Sequence, residues 1–448
     1  MTDHPPSALT RRGLLSRTTA AATATALLLG LGEHLPASEP APLPYGKPGE
    51  KDWLEPGLPG THYTPVVAPN LPTLPFKIID GVKVFHLVIE PVLKHEFAPG
   101  LSADCWGFNG NVNGPVIEAV EGDRVRIYVT NKLQAGTAVH WHGVILPNGM
   151  DGVGGLTQKA IGPGETFRYE WTFRQHGTLM YHAHHDEMTQ MALGMTGMLV
   201  VHPRQPSGPK IDRDFCLMLH EWKIAAGTSR PDPSEMVEFN VLTINGKCYP
   251  ATAPLVAQVG ERVRIRLGNL GAMSHHAIHL HGLHFELTGT DGGEVPASAR
   301  WPETTMLVPT GATRNIEFVA ANPGDWALHC HMTHHVMTQM GHGLPNLIGI
   351  DTAGLDEKIR RLLPGYMTMG DAGMGDMGAM GMRVPRNSLP MVGGQGPHDY
   401  ITMGGMFSIL KIREKLASYD DPGWYPMPAG TQADAATPAE LQRDGIAG

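Results

Sequence analysis

One ordered pattern occurs twice in this chain, and it restricts the fold more than any other feature of the sequence. Residues 114–131 and 253–269 each read as a strand, a Gly-Asp or Gly-Glu turn and a second strand with period-two alternation. A His-x-His-Gly follows each time, first at His140, Trp141, His142 and Gly143, then at His279, Leu280, His281 and Gly282. A second His-x-His closes each copy, as His182-Ala183-His184 and as His329-Cys330-His331. Each closer precedes a Met-Thr-Gln-Met, at Met188 to Met191 and at Met337 to Met340. Two duplicated Greek-key β-sandwich domains are the simplest account, so an all-β chain is expected.

Composition agrees. A chain of 448 residues has room for two or three domains, and 42% apolar residues supply a sizeable core. Only 17% are charged, with 55 Gly and 38 Pro, which suits a loop-rich β protein better than a helical one. The formal charge is -9, mildly acidic, and nothing basic enough for nucleic-acid binding appears. There is also no phosphate-binding Gly loop followed by Lys and Ser/Thr. The four cysteines are too few and too scattered for a disulfide scaffold. Cys105, Cys216 and Cys248 read as buried small residues or as members of one bridge. Cys330 stands apart because histidines flank it.

The ends of the chain read differently from the repeats. Arg11-Arg12 followed by leucines and an Ala/Thr/Leu run suggests a twin-arginine export signal over residues 1–40. Its apolar run is too short to span a membrane comfortably. Residues 41–73 are rich in Pro and Gly and read as a linker arm. The two domains are then expected at 74–206 and 207–352, with a tail over 353–448. Six methionines interleaved with Gly and Asp mark 367–382 within that tail. Beyond it, residues 406–416 are apolar-periodic and could pack back on the body.

The histidine pairs carry the chemistry. On a strand, residues two apart point to the same face, so each His-x-His aims two imidazoles the same way, about 7 Å apart. Eight gathered imidazoles would be left short of hydrogen-bond partners unless a metal takes their lone pairs. The segment from His329 to Met340 adds a thiol. A blue-copper site needs two His, one Cys and a long axial contact, commonly Met. Cys330, His335 and Met340 give three of these, and His276 can give the fourth. Strand alternation turns Cys330 away from His329 and His331, so one site can sit on each face. The doublets His184-His185, His275-His276 and His334-His335 leave a choice of ligand.

These four histidine motifs resemble those of the multicopper oxidases (laccases, ferroxidases and copper-efflux oxidases), over about 280 residues spanning both repeats. The resemblance implies two tandem cupredoxin-like sandwiches and about four coppers per chain. It implies a type 1 copper at Cys330, His276, His335 and Met340. It implies a type 2 copper at His140 and His279. A type 3 pair would be held by His142, His182, His184, His281, His329 and His331. The reaction implied is one-electron oxidation of a donor coupled to reduction of dioxygen to water. Asp151 resembles a family carboxylate that helps deliver protons near the type 2 copper, and reads equally as a turn Asp before Gly152. Ala183 stands where a type 1 Cys would be in the first copy, so only the second can hold that copper. Two domains rather than three resemble the small-laccase type, which implies a homotrimer with clusters between subunits. The Met-rich tail is similar to the cuprous-ion collectors of copper-detoxifying relatives, and reads otherwise as a flexible linker. A copper nitrite reductase and a non-catalytic copper store are the competing readings. The first needs far fewer histidines, and the second has no use for a Cys between two cluster histidines. The donor stays open among phenols, aromatic amines, Cu(I) and Mn(II).

Overall fold

The computed structural model describes residues 51–336 and 393–446, apart from 226 and 236, and also 358, 361, 362 and 387. The expected export signal, residues 41–50 of the arm, Met340 and the Met-rich stretch 367–382 lie outside the described residues. Among those described, no helix is long and apolar enough to cross a membrane.

The described residues form two β-sandwiches. In the first, one sheet runs in the order Gly114–Val120, Thr196–His202, Gly177–Ala183, Val139–His140. The facing sheet runs Phe76–Ile79, Val82–Ala98, Arg124–Asn131, Thr166–Thr172, with Leu101–Phe108 paired to the long second strand. The alternation read in 124–131 is realised directly: Val125, Ile127 and Val129 are buried while their neighbours are partly exposed. Between the sheets lie Trp141, Trp171, Tyr169 and Tyr181 with aliphatic side chains from both. Trp141, the residue between the first two histidines, is fully buried and packs against the Trp171 and Tyr169 rings. That histidine pair is therefore mounted on the core rather than on a loose loop.

The second sandwich repeats this plan. Its histidine-bearing sheet runs Leu255–Gln258, Phe407–Arg413, Gly324–Cys330, His276–Leu280, Thr305–Val308. The four strands of the first histidine-bearing sheet match the first four of the second in order. Thr196–His202 lies parallel to Gly114–Val120 and antiparallel to Gly177–Ala183. Phe407–Arg413 lies parallel to Leu255–Gln258 and antiparallel to Gly324–Cys330 in the same way. Ala183 N–H donates to Met195 O at 3.0 Å, and Cys330 N–H donates to Met406 O at 3.1 Å. The strand 407–413, expected in the tail, is thus an inner strand of the second sandwich. All seven of its residues are buried. In the first copy the chain passes from Ala183 through the short helix Glu187–Ala192 and returns at Thr196. In the second it runs on from Cys330 to Phe407 before returning.

The expected linker arm also joins the fold. Val66–Val67 adds a parallel edge to Arg213–Trp222 in the other sheet of the second sandwich. Gly57 N–H donates to Asp123 of the first sandwich at 2.9 Å. Asp123 is fully buried, and Lys83 and Arg204 each approach it to 2.8 Å. The arm therefore touches both sandwiches through backbone bonds, which satisfies polar groups that burial would otherwise leave exposed to no partner.

Candidate metal centres

Strand register brings the histidines into two groups of four. His140 lies opposite His182, and His279 lies opposite His329. In the first quartet the ring centroids of His140 stand 5.7, 5.4 and 5.4 Å from those of His142, His182 and His184. In the second, His279 stands 4.7, 5.7 and 5.4 Å from His281, His329 and His331. Among the described residues, ring contacts join the members within each quartet and none joins the two quartets. The Gly that closes each motif, Gly143 and Gly282, has positive φ. A side chain there would be strained, so the chain can turn away directly after the second histidine.

Hydrogen bonds fix which ring nitrogen faces inward. His140 Nδ1 lies 2.8 Å from Asp151 O, and His279 Nδ1 lies 2.7 Å from Thr304 O. His182 Nδ1 lies 2.9 Å from Ala183 O, and His329 Nδ1 lies 2.9 Å from Cys330 O. A carbonyl oxygen only accepts, so each Nδ1 donates outward and Nε2 is the nitrogen turned away from that bond. Metal-binding histidines are commonly oriented by such a bond from the far nitrogen. Burial holds the His182 imidazole down to about 3 and lowers that of His329.

Asp151 sits against the first quartet by main chain and side chain together. Its carboxylate lies 3.4 Å from His140 Nδ1, in addition to the carbonyl contact. Gly152 makes this approach possible: φ is +85, and a Cβ there would stand 1.7 Å from Val139 O. Glu187, absent from the expected set, places one oxygen 3.7 Å from His182 Nδ1 and the other 3.6 Å from His184 Nε2. Its position three residues after His184, at the start of the helix Glu187–Ala192, was the available signal.

The third group lies on the opposite face of the second sheet. His276 precedes His279 by an odd number of residues, so it shares the face of Ile278 and its partner Cys330. Cys330 Sγ lies 3.2 Å from His335 Nδ1 and 3.8 Å from His276 Nδ1, and the two Nδ1 atoms are 3.2 Å apart. All three residues are buried. Burial pushes the thiol up to about 11 and the His335 imidazole down to about 3. Without a cation the set would be a neutral thiol beside neutral imidazoles. Two imidazole nitrogens and one sulfur converging in a dry pocket form a donor set that suits copper.

The matching place in the first sandwich is closed. Ala183 replaces Cys330, and Thr137 stands three residues before His140 as His276 does before His279. Thr137 Oγ1 donates to Gln190 Oε1 at 2.6 Å, and Gln190 Nε2 donates to Gly136 O at 2.9 Å. Gln190 is fully buried. A satisfied hydroxyl–amide pair thus fills the space that a second thiolate site would need. Of the doublets, His185 stands beside the loop at Gly136 and Gly154, and His275 accepts from Thr310 N–H at 3.1 Å.

Two family models, each described as multicopper oxidase, match residues 93–206 and 224–347, together more than half of the chain. The chain belongs to the multicopper oxidase family. Copper is the cofactor of that family, and the Cys330 set and the two quartets fit it by their donor types. Among relatives of this multicopper oxidase, copper resistance protein A of Pseudomonas syringae pv. tomato is 41% identical over 114 residues, 25% of this chain and 18% of that protein. Dihydrogeodin oxidase of Aspergillus terreus is 30% identical over 345 residues, 69% of this chain and 54% of that protein. The chain thus spans from under a fifth to about half the length of these relatives. A solved structure, multicopper oxidase mgLAC, superposes with a TM-score of 0.54 at 26% identity, over 77% of this chain and 91% of that one. The blue copper oxidase from Nitrosomonas europaea shares the fold, with a TM-score of 0.52 at 24% identity over 82% and 94%.

Proposed function

We propose that this chain is an exported oxidase that takes electrons singly from a reducing substrate and delivers four to dioxygen, forming water. The observation that carries the reading is the strand ending at Cys330. Its thiol meets His276 and His335 on one face, while the flanking His329 ring packs in the quartet on the other. One residue therefore bridges a one-electron site and a multi-imidazole site by a few covalent bonds. Copper at the thiol site supplies a one-electron acceptor, and copper among the histidines supplies the centre for oxygen reduction.

The ligand assignment follows the family's pattern. Cys330, His276, His335 and, outside the described residues, Met340 would hold the type 1 copper. His140 and His279 hold the type 2 copper. His142, His182, His184, His281, His329 and His331 hold the type 3 pair. Asp151, against His140, is the proton-handling carboxylate. The absence of a ring contact between the two quartets agrees with a homotrimer in which the first sandwich of one subunit faces the second of the next. Leu156, two residues after Gly154 whose N–H donates to His184 O, and Met188, next to Glu187, are 80% and 56% exposed and agree with a face that another subunit covers. The Arg11-Arg12 segment supports export to the periplasm or beyond. The copper-resistance relatives make Cu(I) a candidate donor beside phenols and aromatic amines.

Copper stoichiometry of the mature protein, taken with its visible and EPR spectra, tests the reading. About four coppers per chain with an intense blue thiolate band and a second EPR-active copper are expected. One or two coppers without a cluster signature would withdraw the oxidase in favour of a reductase or a copper store.

A further inference from the structure

The three described side chains of the thiol site are sealed from solvent. Cys330 and His276 are fully buried and His335 is 2% exposed. The loop carrying His335 is held on both sides: Met406 N–H donates to His335 O at 3.1 Å, and Gly404 N–H donates to Val336 O at 2.8 Å. Val336 packs with Tyr249, Phe407 and Ile409. A donor in solution therefore meets no ring edge of this set directly. His334 is different. It is partly exposed, and its ring centroid lies 4.1 Å from that of His335 at 64°. Among the described residues it is the one ring that both touches a member of the site and reaches solvent. The comparable neighbour of His276, His275, is turned to Thr310 N–H instead.

We propose that His334 is the port through which an electron from an external one-electron donor reaches the Cys330–His276–His335 site, a proposal that rests on the oxidase reading above. The donor loses one electron and the site gains it. No bond is made or broken at His334, and no proton is left there. Electronic coupling falls steeply with separation, so a packed ring contact between solvent and a buried ligand outweighs longer routes through saturated side chains. The port suits donors that react by approach rather than by ligation, and it makes the outer surface of His334 the place where donor preference is set.

The test measures electron uptake apart from turnover. Wild type, His334→Leu and His334→Phe are loaded with copper, and bleaching of the blue band by hexaammineruthenium(II) is followed without oxygen. His334→Leu should slow bleaching at least about tenfold, about 1.4 kcal/mol in the barrier, while His334→Phe stays within about threefold of wild type. Midpoint potential and EPR spectrum should be unchanged in both. In the copper-free protein, diethylpyrocarbonate should modify His334 well before His335 or His276. A wild-type rate in His334→Leu, a slowing accounted for by a shifted potential, equal slowing in both variants, or early modification of His335 would each overturn the port while leaving the oxidase intact. A wild-type protein with no blue band would sink the oxidase reading, and the port with it.

Discussion

Single residues decide how the histidines face. Their types and spacing were plain in the sequence, because period-two alternation places His329 and Cys330 on opposite faces whatever the sheet around them. The inward nitrogen was not, since it depends on carbonyls at Asp151 and Thr304 that come from distant loops. Nor was the closure of the first sandwich's thiol position. Ala183 showed that a ligand was lacking, but the Thr137–Gln190 bond that fills the space needs the fold to bring residues 137 and 190 together. Gly152 is the residue most exposed to test. A Cβ there would overlap Val139 O, and a left-handed backbone costs a non-glycine residue roughly 1–2 kcal/mol. Gly152→Ala should push Asp151 off His140, lower the melting temperature and weaken the type 2 EPR signal, with the blue band kept. An unaltered type 2 signal would show that the contact at Asp151 does not hold His140.

At the scale of elements, the repeated strands were legible and the strand that completes the second copy was only half so. Residues 406–416 read as apolar-periodic, yet nothing local assigns them a sheet. Their partners lie far back in the chain, and period alone does not name a partner. The arm strand Val66–Val67 was missed for a related reason, since two residues are too few for any pattern. Its docking involves a buried acid: Glu118 accepts from Val66 N–H at 3.1 Å and faces His202 Nε2 at 2.8 Å. Burial raises the Glu118 carboxyl to about 7 from an ordinary 4.5. A raised acid stabilises the fold fully below its unfolded pKa, and that contribution is lost as pH rises through about 7. Glu118→Gln stays neutral throughout. The melting temperature of the variant should therefore gain on wild type between pH 5 and pH 8, measured on copper-free protein by circular dichroism. A gap that stays constant over that range would remove Glu118 as the group responsible.

For the whole molecule, the two quartets within one chain raise the question of what each faces. In the trimer proposed above, a chain disabled in its first quartet and a chain disabled in its second each still bring one sound half-site. His182→Ala and His329→Ala proteins, inactive alone, should regain part of their oxygen uptake when dissociated, mixed and reassembled with copper. Light scattering should give about three chain masses. No recovery on mixing, or an active monomer, would end the intersubunit arrangement. The sequence could suggest this assembly only by likeness, because an interface is written in side chains that look like ordinary surface until the fold gathers them.

The late return of Phe407–Arg413 to its sheet also sets a timetable for synthesis. Domains form as units, the N-terminal one first as the chain emerges. The first sandwich has its last strand by residue 202, so it can close while the remainder is still being translated. The second waits for residue 413, although its thiol was made at residue 330. A nascent or truncated chain therefore carries a finished set of four imidazoles long before it owns a sheltered thiolate pocket. Copper that reached such a fragment would find nitrogen ligands but not the completed set of Cys330, His276 and His335.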